Sequence, residues 1–593
     1  MSGESLRERI QSAISLFRAV APTASKAVLR GQVFRPSCRL LPADPNVEMQ
    51  VDVEIPVEAG FSLTACIFRP KDALAAGTRL PVVMCAHPYD NRIMPALGRT
   101  PFGGPPQQYR VIPQAGKPEF SELTSWEAPD PNYWTRHGYA VVNLNLPGCG
   151  SSGGPPALLD VEFQARCFYE AIEWIAAQDW CTGAIGLNGV SFLAISQYHV
   201  AACQHYGGPP PALKAISPWE GISNIYRELL YCGGILETGF PDFWWETEVK
   251  PVIDVDAFRA AGQRTIGESL AEHPFYDEFW RSNAPKLDEI DVPMLACASF
   301  SDHGLHTDGT LQAFMRAKTE DKWLYTHRTG KWDAYYSPDV MDLTRRFFDC
   351  FVKGESDNGF RDTPRVRLEV RSDRETVHAI HAESTWPPEG TTDLELFIRP
   401  GTDDFSTEAL EAETSASYGA TSKGLSFTHT FSEATELTGY MKAQLWMAVN
   451  AGPASEESPD DLLVFLALDK LDRKGRRVPF YGCVGNRDDA VTRGYLAASR
   501  RTLDPEASTD MRPVPAHQAD DPVVPGECMR LEIPLLPTSV YIEAGESVRL
   551  HIAPQEILRM PPFRKDDSPS RGRITLYGGG TRDSFLRMPA KRR

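Results

Sequence analysis

A chain of 593 residues, 42% of them hydrophobic, carries enough apolar side chain for more than one core, and its length predicts more than one domain. A formal charge of -18, with no long run of Lys or Arg to offset it, argues against a nucleic-acid partner, because phosphate binding needs clustered positive charge. Twelve cysteines without C-x-x-C pairs or regular spacing fit buried free thiols rather than a zinc site or a disulfide framework.

Residues 1–48 are expected as a helical extension, since Leu6 to Val20 places Ile10, Ile14 and Phe17 at helical spacing ahead of Pro22. The same stretch lacks the uninterrupted apolar core of a signal peptide, and no later stretch reaches membrane-spanning length, so a soluble cytoplasmic protein is expected, with no membrane partner. Gln50 to Val57 and Phe61 to Arg69, separated by Glu58-Ala59-Gly60, predict a hairpin. Pro81 to Ala86 is a continuous apolar run of strand length that opens into His87-Pro88-Tyr89-Asp90 and a long Pro- and Gly-rich loop. A further strand is expected at Tyr139 to Leu146, then a helix at Val161 to Gln178 with Phe168, Ala171, Ile172 and Ile175 on one stripe.

Next comes the stretch around which the chain is organised. Ala184 to Leu187 is a short buried strand, Phe192 to Gln204 is free of Pro and Gly, and Ser191 stands at the corner between them. Gly189 can take the strained geometry of such a corner, although the usual G-x-S-x-G pattern wants a small residue where this chain has Leu193. A lone G-x-S is common by chance, so an ordinary loop serine is the competing reading. Lys214 to Ser217 continues the alternation of strand and helix, which implies a parallel sheet covered on both faces. Pro218 to Pro285 carries no further sheet strand and is rich in aromatics; such an insertion can close over a pocket, or its aromatics can fill its own core.

The sheet resumes at Val292 to Phe300, which ends in Ser301-Asp302-His303-Gly304, followed by a helix at Thr310 to Ala317, a strand at Lys322 to Thr326, His327, and a helix at Pro338 to Val352. Lys353 to Thr363 has the composition of a linker. Beyond it short alternating strands predict an all-β sandwich, with Leu394 to Arg399, Gly439 to Val449, Leu462 to Leu468, Met529 to Pro534, Ser547 to Ile552 and Arg573 to Tyr577 as members. Gly452 to Asp461 and Asp504 to Glu527 are expected as mobile loops, being acidic and Pro-rich with little to bury.

Three strand ends thus offer a nucleophile, an acid and a base. A serine hydroxyl needs a histidine to take its proton, and that histidine needs a carboxylate to fix its tautomer. Ser191, Asp302 and His327 fill these roles in the chain order expected of an α/β-hydrolase sheet. Asp308 and Asp333 compete with Asp302, and His303 and His306 compete with His327, which is favoured because it alone ends its own strand.

With His87-Pro88-Tyr89-Asp90, Gly189-Val190-Ser191-Phe192-Leu193, Ser301-Asp302, Trp323 to His327, and Gly579-Gly580 with Ser584-Phe585-Leu586 near the end, the chain resembles the cocaine esterase and X-Pro dipeptidyl-peptidase group of serine hydrolases, which includes the α-amino-acid ester hydrolases. The resemblance implies an α/β-hydrolase domain over residues 49–217 and 288–353, a helical cap over 218–287, and a jelly-roll β-sandwich over 364–593. It also implies an oxyanion hole from the Tyr89 hydroxyl and the Phe192 N–H. Trp219, Trp244, Trp245 and Trp332 are candidate pocket residues. The expected activity is hydrolysis of an ester or amide of a small, partly apolar molecule through an acyl-enzyme, with neither metal nor organic cofactor. An acyltransferase with the same triad and a catalytically silent ligand-binding protein are the alternatives, and the oligomeric state stays open, a homo-oligomer included.

Overall fold

The computed structural model describes residues 38–100, 104–106, 108–111, 115–450, 461–559, 562–568 and 571–592, so the helix expected at Leu6 to Val20 and the loop expected from Gly452 lie outside the described residues. The chain builds ten strands into one sheet: β1 Val47–Pro56, β2 Ser62–Pro70, β3 Leu80–His87, β4 Ala140–Asn145, β5 Cys181–Val190, β6 Leu213–Trp219, β7 Met294–Ser299, β8 Lys322–His327, β9 Val366–Arg371 and β10 Val377–Glu383. Their spatial order is β1-β2-β4-β3-β5-β6-β7-β8-β9-β10, with β4 through β9 parallel and the outer strands antiparallel.

The central strands are largely apolar on both faces because helices cover both. Along β3, Val82, Met84 and Ala86 pack on one side with Phe168 and Ile172 of helix α1 (Val161–Ala176), whereas Val83 packs on the other with Phe347 and Phe348 of a later helix, Pro338–Phe351. Asp160 caps α1 by accepting from the Phe163 N–H, so the chain enters that helix at a defined residue. Helix α2 (Phe192–Ala201) follows β5, and helix α3 (Thr307–Arg316) follows β7.

Between β6 and β7 lies an insertion of short helical segments from Tyr226 to Ser282, with its own small core around Tyr226, Leu229, Phe258 and Trp280. No helix among the described residues is long and apolar enough to cross a membrane.

The C-terminal part is rich in antiparallel strands. Thr435–Asn450 pairs with Met529–Ile542 on one side and with Phe585–Arg592 and Arg573–Gly578 on the other, while Leu463–Leu471 pairs with Thr492–Ala497 and Ser547–Ala553. Leu531, Ile533 and Leu535 alternate with outward residues, and on the neighbouring strand Ala443 and Leu445 pair with Ile533 and Leu531 on the same buried face, as the two-residue period of a half-buried strand requires.

Two segments differ from their sequence reading. Lys353 to Thr363 is no free tether, because Phe360 is buried against Trp323 and Phe347, and the next strand, β9, continues the parallel sheet beside β8. Asp504 to Glu527 is held in place, because its charges find partners elsewhere: Arg227 reaches Asp504 at 2.7 Å, and Arg512 reaches Asp308 of α3 at 2.7 Å. Composition shows that a segment is polar; it does not show whether its charges are paired.

Candidate active site

The corner between β5 and α2 is as tight as the sequence demands. Ser191 sits there with φ 60 and ψ -117, a conformation a non-glycine residue holds only when its surroundings impose it. They do so from both sides: the Ser191 N–H donates to the Trp219 carbonyl at 3.0 Å, and the Val190 N–H to the Glu127 carbonyl at 3.2 Å. Leu193, the departure from the small-residue pattern, is accommodated because Gly189 has no side chain; a Cβ there would stand 2.6 Å from the Leu193 Cβ. Glu127 and Glu220, the residues on either side of this corner, also have positive φ, so strained backbone gathers around the serine.

The Ser191 hydroxyl faces Nε2 of His306 at 3.2 Å, and Nδ1 of His306 donates to the Asp302 carboxylate. Acid and base therefore share one turn at the carboxyl end of β7, four residues apart, with the Leu305 and His306 N–H groups folded back on the Asp302 carbonyl. Asp302 lies where it is expected. His327 does not reach the serine: it is 2% exposed at the end of β8, with Nε2 2.8 Å from Glu220 and its ring stacked on Trp219. The histidine that meets Ser191 is thus His306 and not His327, where the base is expected. The rule that the last strand carries the histidine competed with a local signal, the i, i+4 spacing of Asp302 and His306, and the local signal wins because it closes the hydrogen-bond chain to Ser191.

Burial holds His306 down at about 4, so its imidazole is neutral and ready to accept a proton. Burial alone would raise Asp302, but His306, Lys331 and the Cys483 thiol, which donates to Oδ1, carry it well below the ordinary carboxylate range. Cys483 comes from the C-terminal part, and no sequence signal pointed to it. Glu220, Asp302 and His306 also offer ligand atoms within 4.8 Å of one another, but Asp302 and His306 spend theirs on each other and on Ser191, which leaves no vacant donor set for a cation.

Tyr89 stands just past β3 and is buried; its hydroxyl accepts from Nε1 of Trp244 at 3.3 Å, which leaves its own proton free to be donated. Burial pushes its pKa well above the usual tyrosine value, so the hydroxyl stays protonated. Phe192 is the first residue of α2, where an N–H has no partner inside the helix. Tyr89, Ser191, Phe192, Trp244 and His306 all line one cavity of about 90 Å³. Of the four tryptophans expected there, only Trp244 lines it. Trp219 is buried beneath His327, Trp245 packs on Phe258 inside the insertion, and Trp332 donates to Glu127 at 3.0 Å. Tyr89→Phe is expected to lower kcat by a factor on the order of a hundred to a thousand, the usual cost of one oxyanion donor, with Tm little changed. A drop in Tm with kcat intact, measured by calorimetry beside steady-state kinetics, would make Tyr89 a packing residue.

Comparison with known proteins agrees with this architecture. The X-Pro dipeptidyl-peptidase (S15 family) model matches residues 59–333, and that family's C-terminal non-catalytic domain matches residues 358–587. A CocE/NonD family hydrolase from Staphylococcus aureus superposes with a TM-score of 0.80 at 30% identity, covering 92% of this chain and 97% of its own. Cocaine esterase from Rhodococcus is 23% identical over 58% of this chain, so the chain spans 61% of that relative's length. An α-amino acid ester hydrolase shares the fold at a TM-score of 0.65 and 14% identity, over 93% of this chain and 98% of its own. The chain belongs to the X-Pro dipeptidyl-peptidase (S15) family, together with the CocE/NonD hydrolases, and is a serine hydrolase.

Proposed function

We propose that the protein hydrolyses a neutral, largely apolar carboxylic ester. Ser191 attacks the carbonyl, His306 takes the hydroxyl proton and returns it to the leaving alcohol, and Asp302 fixes the tautomer of His306 and stabilises the imidazolium. The Tyr89 hydroxyl and the Phe192 N–H receive the oxyanion, and water releases the acyl group by the same route in reverse. The observation that carries this reading is the pocket itself. It begins at Ser191 and His306 and continues along Leu158, Phe168, Ile195 and Phe240, and no Asp, Glu, Lys or Arg is among the described residues that line it. Such a wall favours apolar area and offers nothing to a charged amine, which weighs against a substrate with a free amino terminus.

In this reading residues 218–287 act as a helical cap, since Ile222, Ile225, Leu229, Phe240 and Trp244 supply one side of the pocket. The jelly roll expected from residue 364 begins only after β9 and β10, which complete the hydrolase sheet, and the strands from Thr392 onward form the jelly roll that braces the acid turn.

The test is a panel of short-chain aryl esters and X-Pro anilides, with a fluorophosphonate probe on the side. Wild-type protein is expected to turn over the esters and to be labelled at Ser191. Ser191→Ala is expected to lose both while melting as before, because the serine hydroxyl adds little to the core. Labelling at another residue, or anilides turned over faster than esters, would overturn the reading.

A further inference from the structure

His327 is left without a catalytic role, yet it is too well held to be idle. It is one end of a buried chain that runs through Glu220 toward Asp302. Nε2 of His327 lies 2.8 Å from Oε1 of Glu220, the Thr329 hydroxyl lies 3.4 Å from Nδ1, and Trp219 stacks on the ring at 5.7 Å. Burial holds this imidazole down at about 4, so one ring nitrogen carries the only proton. A hydroxyl donating to Nδ1 places that proton on Nε2, where it is donated to Oε1 of Glu220.

Glu220 is 1% exposed and follows β6 in a positive-φ conformation. Its Oε1 is spent on His327, whereas its Oε2 is buried without a partner. Glu220 also offers an oxygen within 4.8 Å of ligand atoms of both Asp302 and His306. Two buried carboxyls this close resist ionising together even with the Lys331 ammonium acting on both, and Asp302 is the one committed to His306. The proton must then sit on Glu220, on the oxygen that His327 leaves free.

We propose that Glu220 is a positioning residue for the triad: held by His327, it stays a neutral carboxylic acid and donates from Oε2 to the Asp302 carboxylate. This rests on Ser191, His306 and Asp302 acting as proposed above. The donation fixes the carboxylate that orients His306, while adding no second negative charge beside it. Its counterpart on Oδ1 is the Cys483 thiol, so Asp302 is gripped from three sides. Burial first, then the neighbouring Asp302 charge, pushes the Glu220 carboxyl well above its usual range.

Two variants and one spectrum test this. Glu220→Gln keeps an N–H donor toward Asp302 and a carbonyl for His327, whereas Glu220→Leu keeps the volume and neither bond. Expected is fluorophosphonate labelling of the Gln variant within about threefold of wild type, and labelling of the Leu variant slowed by roughly a hundredfold or more, as when a triad histidine loses its orientation. In infrared difference spectra, wild type minus Glu220→Gln in mildly alkaline buffer, a protonated carboxylic C=O band is expected. Glu127, Glu228, Glu248 and Glu556, each raised to about 7, are ionised there and cancel between the two proteins. A Gln variant as slow as the Leu variant would show that the charge of Glu220 matters and overturn the proposal, as would equal labelling of all three proteins or the absence of the band. Failure of the wild type to label at Ser191 would instead overturn the hydrolase reading, and the infrared band reports on Glu220 without any turnover.

Discussion

Replacing His306 with alanine is expected to lower kcat by a factor on the order of a million, because losing the general base of a serine triad costs about as much as losing the triad. The serine would then face no group able to take its proton, since His303 turns its Nε2 to the Pro537 carbonyl at 2.9 Å and His327 is spent on Glu220. His327→Ala is expected to cost far less, roughly tenfold, because it acts only through Glu220. Steady-state kinetics on both variants, with Tm measured alongside, decides the matter. The opposite ranking would return the base to the end of β8.

Truncation after Lys353 is expected to abolish activity altogether and to leave aggregated protein. The turn that carries Asp302 and His306 is supported largely from beyond that point. Arg371, buried, donates to the Phe300 carbonyl at 2.9 Å; Pro537 accepts from His303; Tyr440 and Arg512 grip Asp308; and Cys483 holds Asp302. Removing these partners leaves the Phe300 carbonyl and the His303 ring unpaired and uncovers the edge of β8, a row of free backbone groups that invites aggregation. A soluble fragment ending near Lys353 that retained wild-type kcat/KM would refute the dependence.

Much of this was legible in the residues. The parallel strands, the corner at Ser191 and the placement of Asp302 and Tyr89 at strand ends all announce themselves through short apolar runs ending in polar or glycine-rich turns. Which histidine meets Ser191 was not, because two signals conflicted and only three-dimensional distance could separate them. Strands β9 and β10 also escaped notice. Val366-Arg367-Leu368-Glu369-Val370-Arg371 looks like a solvated edge, yet Glu369 and Arg371 are buried, with Arg371 satisfied by the carbonyls of Phe300 and Ser539. A buried, fully bonded arginine is invisible to any reading that places charge at the surface. The pocket tryptophans failed for a related reason: aromatic content marks packing, and three of the four pack away from the cavity, Trp219 and Trp332 buried and Trp245 partly so.

Trp244 has one more effect, and it concerns timing. It belongs to the insertion, yet it donates to the Tyr89 hydroxyl and stacks on the Phe192 ring at 5.9 Å, so it braces both proposed oxyanion donors at once. A movement of the insertion wide enough to admit a bulky ester would take that brace away, and only its return would restore it. Admission and reaction would then be separate moments of one cycle, with an acyl-enzyme formed only behind a closed door and the reopening able to set the pace of turnover.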